Sequence, residues 1–521
     1  MIEGATSVTN APGRAHITDV ATRVELSLIS HTNAGKTTLA RTLLGRDVGE
    51  VRDAPHVTGQ AEPYTLIETP EGDVLRLWDT PGFGDSARLA KRLKQHGNPI
   101  GWFLSEVWDR WRDRPFWSSQ QAIKNVREQA DAVLYLINAS EAPADAGYVA
   151  PEMQILEWIG KPAIVLLNQM GEPRERGDEE PEEARWQRVL GQHAFIQTVL
   201  PLDAFARCWV QELTLLRAVS TAIPEAKRSA FARLTAAWQA RREDQFAAAM
   251  NALATQVARA ACDRAALTAT GLRATLRDVG KAIGLTRDGE ESDKERAMRA
   301  LAERLDADIR ASTDRLISVH GLEGRAAGEV LARMATSFTS DEAMSEGKAA
   351  VFGGFLTGAV SGLAADLAAG GITFGAGFLT GGVLGALGAA GLARGFNVLR
   401  GSQENVVRWS DEFLSGLVQA ALLRYLAVAH YGRGRGEWSA SEHPGFWKDA
   451  VKAVLESRRS ALAAIWAQRG EKCDAADLTT VLQDFLASAA KELLGNLYPQ
   501  ALPSAVAATD KSGIVTTDRA D

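Results

Sequence analysis

The sequence predicts an α/β domain followed by a mainly α-helical region that contains a glycine-rich hydrophobic helical hairpin. Three observations lead there. Between Arg23 and Pro224, short β-rich runs alternate with helical stretches, the pattern of a doubly wound sheet. After Pro224, Ala, Arg, Leu and Glu dominate and strand signals become scarce. From Ala349 to Ala393 a single charge, Asp366, stands among many glycines.

Taken in order, residues 1–22 read as a flexible tail. No apolar stretch of the secretory-signal kind is visible there, so a cytoplasmic location is expected. Val24 to Ile29 is a strand that feeds a loop, and Thr38 to Leu44 is the helix behind it. Tyr64 to Glu68 and Val74 to Trp78 read as a hairpin about Glu71-Gly72-Asp73. The continuous apolar runs Ala132 to Ile137 and Ala163 to Leu167 suit parallel strands buried on both faces. This α/β domain spans 23–224. Helical texture fills 225–348 and 394–503, on either side of the hairpin at 349–393, and 504–521 reads as a disordered tail.

Bulk properties narrow the function. The 521 residues exceed what one hydrophobic core serves, so two or three domains are expected. The 58 basic residues face 65 acidic ones, a net charge of -7, which leaves no electrostatic footprint for nucleic acid. Cys208, Cys262 and Cys473 are odd in number and far apart. They are expected to be reduced, buried thiols rather than a disulfide framework or a zinc site.

The chemistry sits early in the chain. Ser30-His31-Thr32-Asn33-Ala34-Gly35-Lys36-Thr37, followed by Thr38, lies between a strand and a helix. Successive backbone N–H groups in such a loop wrap a β-phosphate, Lys36 reaches the β- and γ-phosphates, and the Thr37 hydroxyl binds Mg²⁺. Ser30 stands where the full pattern has glycine. Further on, Leu77-Trp78-Asp79-Thr80-Pro81-Gly82 closes a strand. Asp79 is placed to hold Mg²⁺ through water, and Gly82 to offer an N–H to the γ-phosphate. Between the two motifs, Thr58 is the candidate switch threonine that senses Mg²⁺ and γ-phosphate.

This order of motifs resembles the Era-like GTPases of the translation-factor-related (TRAFAC) class. More closely, the run from His31 through Asp79-Thr80-Pro81-Gly82-Phe83-Gly84-Asp85 is similar to a bacterial group in which an Era-like G domain is fused to a C-terminal domain of unknown function. The resemblance implies an α/β P-loop NTPase fold and GTP with Mg²⁺ as ligands. The base-specificity motif departs from the family pattern of Asn-Lys-x-Asp: here Asn168-Gln169-Met170-Gly171 follows the strand. Asn168 can still meet the base edge and the Gln169 stem can pack on the ring. Gly171 removes the carboxylate that discriminates guanine from adenine, so GTP is favoured over ATP on the resemblance alone. Ala204, in Leu202-Asp203-Ala204-Phe205, is a candidate for the last base contact. Phe83 stands where some GTPases carry a water-orienting glutamine. Slow hydrolysis is therefore expected, with Lys36, Asn33, Thr58 and Gly82 as its catalytic set. Asn33 matches the asparagine that coordinates K⁺ in cation-activated relatives; a second protomer or an activating protein is the alternative.

Two further features point outward. Trp102, Phe103, Trp108, Trp111, Phe116 and Trp117 follow the Asp-Thr-Pro-Gly motif. Leu104, Trp108 and Trp111 would share one face of a helix. Arg110, Arg112 and Arg114 interleave with these rings and suit anionic lipid or an acidic partner. In the hairpin, Gly354, Gly358 and Gly362 recur at four-residue spacing, as do Gly377, Gly381 and Gly385, stripes that favour close helix packing in lipid. A GTP-binding switch at the inner face of the membrane is the leading expectation. A dynamin-like remodelling or pore-like protein and a nucleotide-binding scaffold with negligible hydrolysis are the alternatives.

Overall fold

The computed structural model describes residues 21–32, 34–45, 61–106, 108, 112–168, 182–202, 208–267, 293–322, 396–400, 405–430, 446–470 and 472–498. Asn33, Thr58, Arg110, Trp111, Gln169, Met170, Gly171, Ala204 and the glycine-rich stretch 349–393 lie outside them.

The N-terminal part runs β1 (Arg23–Ser30), α1 (Lys36–Leu44), β2 (Glu62–Glu68), β3 (Val74–Asp79), α2 (Ser86–Leu93), α3 (Pro99–Ser105), α4 (Arg114–Glu128), β4 (Ala132–Asn138), α5 (Val149–Ile159), β5 (Ala163–Asn168), α6 (Glu182–Leu190), β6 (Ile196–Pro201) and α7 (Trp209–Ala222). The six strands pair in the order β2-β3-β1-β4-β5-β6. Only the edge pair β2–β3 is antiparallel, as a hairpin must be. Side chains alternate between two cores. Leu26, Leu28, Leu134, Leu136, Ile164 and Leu166 point to the side of α1 and α7. Ile29, Val133, Tyr135, Ile137, Val165 and Leu167 point to the side of α2–α5. Both faces being covered explains why β4 and β5 read as unbroken apolar runs. Register places Leu28 opposite Asp79, so the C-terminal ends of β1 and β3 meet at one edge of the sheet. In open α/β sheets that edge receives the ligand.

The remainder is mainly helical: a 3₁₀ turn (Glu225–Lys227), α8 (Arg228–Cys262), β7 (Arg264–Leu267), α9 (Asp293–Val319), β8 (Phe396–Arg400), β9 (Asn405–Trp409), α10 (Asp411–Ala429), α11 (Phe446–Ser457), α12 (Arg459–Ala467) and α13 (Ala475–Leu497). The strands form a small antiparallel sheet, β7-β9-β8, which the helical texture of the sequence concealed. With 35 residues, α8 is about 50 Å long, and it belongs to both halves. Phe231, Leu234 and Trp238 complete the core under α1 and α7. Phe246, Met250, Leu253 and Val257 build a second core with α9, α10 and α13. The change from one core to the other falls inside a continuous helix.

Arg424 of α10 is fully buried in that second core. It donates to Ser312 Oγ (2.9 Å), Thr313 Oγ1 (2.8 Å) and Gln256 Oε1 (2.6 Å), joining α8, α9 and α10 through neutral acceptors. Burial brings its guanidinium down to about 10. Among the described residues, α10 is the one helix long and apolar enough to cross a membrane by length and composition. Its Leu414, Leu417, Leu422 and Leu426 are buried against protein.

Two expectations need correction. Cys262 and Cys473 form a disulfide with Cα atoms 5.3 Å apart, while Cys208 is a free, buried thiol. The packing of α8 on α13 brings the end of one helix beside the approach to the other, across a sequence separation of 211 residues. Nor do Leu104 and Trp108 share a helix face. α3 stops at Ser105 because Glu106 turns extended, at φ -73° and ψ 148°. Trp108 instead packs between Phe103 and Phe116, with ring centroids 5.6 and 4.8 Å away.

Candidate nucleotide-binding site

The site is assembled where β1 and β3 end. After β1 the chain must reverse into α1, and Gly35 makes the turn at φ +91°, a conformation that costs an L side chain about 1 kcal/mol or more. Space is restricted there too. A Cβ on Gly35 would stand 2.6 Å from Asn168 Nδ2. Asn168 ends β5, is fully buried, and donates from Nδ2 to the carbonyl of Ala34 at 2.9 Å. Its amide thus braces the phosphate loop from β5, two strands away from β1 in the sheet.

Lys36 opens α1 and is buried beneath the loop, its Nζ donating to Ser30 Oγ at 2.8 Å. Burial lowers the ammonium from its ordinary value, while the Asp79 and Glu152 carboxylates oppose that shift. The Ser30 hydroxyl bonds onward to the carbonyl of His31. Thr37 Oγ1 donates to Asp79 Oδ2 at 2.7 Å. Asp79 is 1% exposed. Its other oxygen, Oδ1, is buried with no hydrogen-bond partner among the described residues. Desolvation raises this carboxyl to about 6, against the hydrogen bond from Thr37 and the charge of Lys36. Thr38 is buried in the first turn of α1.

The Asp-Thr-Pro-Gly segment is fastened to the loop. Thr80 Oγ1 donates to the Leu28 carbonyl at 2.7 Å. Phe83 N–H donates to the Ser30 carbonyl at 2.9 Å, and Thr32 Oγ1 to the Phe83 carbonyl at 2.7 Å. A Cβ on Gly82 would lie 3.0 Å from Thr32 Cα and 3.1 Å from Lys36 Nζ, so only glycine fits between the two segments without displacement. The Phe83 ring is fully buried in the core of the α2–α5 face.

The sequence-marked residues Ser30, His31, Thr32, Ala34, Gly35, Lys36, Thr37, Thr38, Asp79, Gly82 and Asn168 therefore converge on one edge of the sheet. A hydroxyl beside a carboxylate with an unsatisfied buried oxygen is a donor pair suited to a hard cation that keeps several waters. Sequence reading missed Glu152, the buried carboxylate that meets His31 Nδ1 at 2.7 Å. On α5, 121 residues away, it belongs to no motif, and the one local signal was an acidic residue in the first turn of a mainly apolar helix.

Residues 25–169 match the family described as 50S ribosome-binding GTPase. Among solved structures, one similar chain is Era in complex with MgGDPNP and a segment of 16S ribosomal RNA, 17% identical over 39% of this chain and 58% of that one, with a TM-score of 0.28. Aquifex aeolicus Era bound to GDP.AlF4- is 20% identical over the same shares, also at 0.28. A bacterial selenocysteine-specific elongation factor, EF-Sec, is 15% identical over 42% of this chain and 29% of that one, at 0.23. The chain thus spans less than two thirds of the length of these structures. No curated protein matches it. Residues 190–497 match a second family, described as a domain of unknown function (DUF3482). Matched over more than half its length, the chain belongs to that DUF3482 family, with a GTPase domain on its N-terminal side.

Proposed function

We propose that the chain is a GTP-binding, slowly hydrolysing molecular switch whose G domain acts on the helical domain through α8. The observation that carries the nucleotide part is the convergence of buried Lys36, the Thr37 hydroxyl and the half-satisfied Asp79 carboxylate at the end of β1. Bound Mg²⁺ would neutralise phosphate charge. Thr37 and Asp79 would hold it, Lys36 and the loop N–H groups would grip the phosphates, and Gly82 would offer an N–H to the γ-phosphate. Slow turnover follows from Phe83, which cannot orient water. Asn33 with K⁺, or a group from a second protomer or activating protein, supplies the missing stabilisation.

The transmission part rests on α8. Its Arg233 Nε meets Asp73 Oδ2 at 2.7 Å, in the turn between β2 and β3. Trp238 Nε1 and Arg242 Nε donate to Glu212 of α7 at 3.0 and 2.8 Å. The same helix then enters the second core. Membrane association, at the inner face, is supported by the composition of 349–393, with one charge and its glycine stripes. The net charge of -7 argues against nucleic acid as partner.

The test is binding of GTP and ATP side by side in K⁺ and in Na⁺, with turnover measured in both. GTP binding that disappears in Lys36→Ala, with turnover below about 1 s⁻¹ without K⁺, supports the reading. Equal turnover by Lys36→Ala removes it. Flotation with vesicles tests the membrane part, and full recovery without detergent and without lipid would remove that part alone.

A further inference from the structure

Cys262 and Cys473, the bonded pair, are half-buried, whereas Cys208 is free and wholly buried. Cys262 is the last residue of α8. Cys473 stands just before Asp474, which caps α13 by accepting from Ala476 N–H at 2.8 Å. The two sulfurs therefore sit at unlike helix ends. The positive end of the α13 dipole favours a thiolate at Cys473, and the negative end of α8 disfavours one at Cys262.

Arginines surround the bond. Arg469, with its side chain 1% exposed, donates from Nε to the Ala261 carbonyl at 2.8 Å and from Nη1 to Asp411 Oδ1 at 2.6 Å. Arg408 of β9 donates to the Arg469 carbonyl at 3.0 Å, and Arg264 of β7 to the Gly470 carbonyl. Arg304 of α9 holds Asp263 at 2.8 Å. Ala261 and Asp263 flank Cys262, and Arg469 and Gly470 lead into Cys473. Arg264 and Arg408 also stand opposite each other on the β7–β9 ladder, a like-charge pair that costs stability. Arg408 has no carboxylate partner among the described residues, and its Nε is buried without a hydrogen bond there. Burial and the charges of Arg408 and Arg264 bring Arg469 down to about 10, against the pull of Asp411. The nearby acids are engaged: Asp263 with Arg304, Asp411 with Arg469, and Asp308 with Arg259. Lys472 and Asp474, on either side of Cys473, are exposed and opposite in sign.

We infer that Cys262 and Cys473 form a thiol–disulfide exchange site, open to a small thiol/disulfide couple, in which the arginine cluster and the start of α13 stabilise the Cys473 thiolate. This goes beyond the nucleotide-switch reading and stands without it. The thiolate of a small thiol attacks Cys262 Sγ. The Cys262–Cys473 bond breaks, and its electron pair leaves on Cys473 Sγ, the better leaving group. A second small thiolate attacks the outer sulfur of the mixed disulfide and releases Cys262. Two small thiols are thereby oxidised to one disulfide and the protein bond is reduced; their protons pass to Cys262 and to solvent. The reverse sequence, with the small disulfide as oxidant, closes the bond again. A stabilised thiolate makes the bond easier to open, whereas a structural disulfide resists the couple. Exchange here sets whether the end of α8 is tied to the approach to α13.

The test is titration of the folded full chain with reduced and oxidised glutathione, the thiols being trapped and assigned by peptide mass. The pH dependence of iodoacetamide alkylation is measured on the reduced protein. Cys262 and Cys473 should open and close together while Cys208 stays unmodified. Cys473 should alkylate faster than Cys262, reaching half its maximal rate at a pH about one below that of an ordinary thiol. Arg408→Met should raise that pH and move the exchange constant about tenfold towards the disulfide, a change of about 30 mV. Arg408→Lys keeps the charge and should restore both values. A bond that glutathione does not open, cysteines that stay separate thiols in oxidised glutathione, or a Cys473 that alkylates like an ordinary thiol overturns the inference. Equal shifts in the Met and Lys variants overturn the role of the arginine charge. If Arg408→Met does not fold, Arg304→Gln, at a side chain 47% exposed, replaces it, with a shift of about threefold expected in the same direction.

Discussion

Asp79→Asn should make the nucleotide-free protein more stable. In the free site the carboxylate is buried, shares one oxygen with Thr37 and leaves Oδ1 unpartnered. Its carboxyl is raised from 3.8 to about 6. Because the folded form holds its proton more tightly than the unfolded form, the native state is favoured below about pH 4. It loses that advantage as pH rises to about 6. Roughly two pK units correspond to about 3 kcal/mol at neutral pH. Asparagine keeps an acceptor for Thr37 and carries no charge, so the G domain should gain up to about 3 kcal/mol. That is a rise of about 6–10 °C in its transition for a domain of this size. The assay is thermal unfolding in chelator without nucleotide, at about pH 7.5 and about pH 4.5. The gain should be large at the higher pH and small at the lower. With Mg²⁺ and nucleotide at about a thousand times Kd the order reverses, because ligand stabilises only the wild type, by about 4.1 kcal/mol. A variant no more stable at pH 7.5, or a gain independent of pH, would refute the reasoning.

Other substitutions probe the rest of the design. Gly35→Ala pushes a methyl against Asn168 and strains the backbone at φ +91°; nucleotide affinity should fall about tenfold or more, read by equilibrium titration. Arg233→Met removes the partner that holds the Asp73 carboxyl below its usual range and should cost about 1–3 kcal/mol. Stability from a depressed carboxyl is present at neutral pH and lost as pH falls through and below 4, so the deficit of the variant should shrink on acidification. Reducing the Cys262–Cys473 bond opens a long loop and should lower the helical-domain transition by about 4 kcal/mol. Calorimetry with and without reductant checks this, and the G-domain transition should stay in place.

Legibility followed locality. Lys36, Thr37, Asp79 and Gly82 could be read from the sequence because one loop and one strand end impose their spacing, and the physics that requires them acts within a few residues. The buried runs of β4 and β5 were equally plain, since strands covered on both faces leave no polar alternation. What could not be read depends on contacts far apart in the chain. Cys262 finds Cys473 only through helix packing, Glu152 finds His31 only when α5 lies over the loop, and α8 shows its double membership only when its two ends face different cores. The end of α3 was misjudged for another reason. Apolar spacing continued past Ser105, but the backbone turned extended at Glu106, and the aromatic rings closed a local cluster instead.

The placement of α8 decides which movement it can read. It packs on β2 and β3, but these strands differ in freedom. β3 is paired with β1 at six register positions from Arg23–Val74 to Leu28–Asp79. Sliding it would break every one of those pairs and turn apolar side chains to the wrong face. β2 is the edge strand and, among the described residues, has no partner strand on its outer side. Its register with β3 shifts between Thr65 and Ile67, the kind of irregularity that lets an edge strand bend locally. In sequence it directly follows the stretch that holds Thr58. Asp73 and Arg233 fix α8 to the hairpin turn, and on the switch reading proposed above the contact with β2 would be the one to change with nucleotide. An α8 anchored at one end and loaded at its flank would tilt rather than translate. Across a helix about 50 Å long, even a tilt of a few degrees at β2 displaces the end at Cys262 by several ångströms, where the disulfide joins it to the approach to α13.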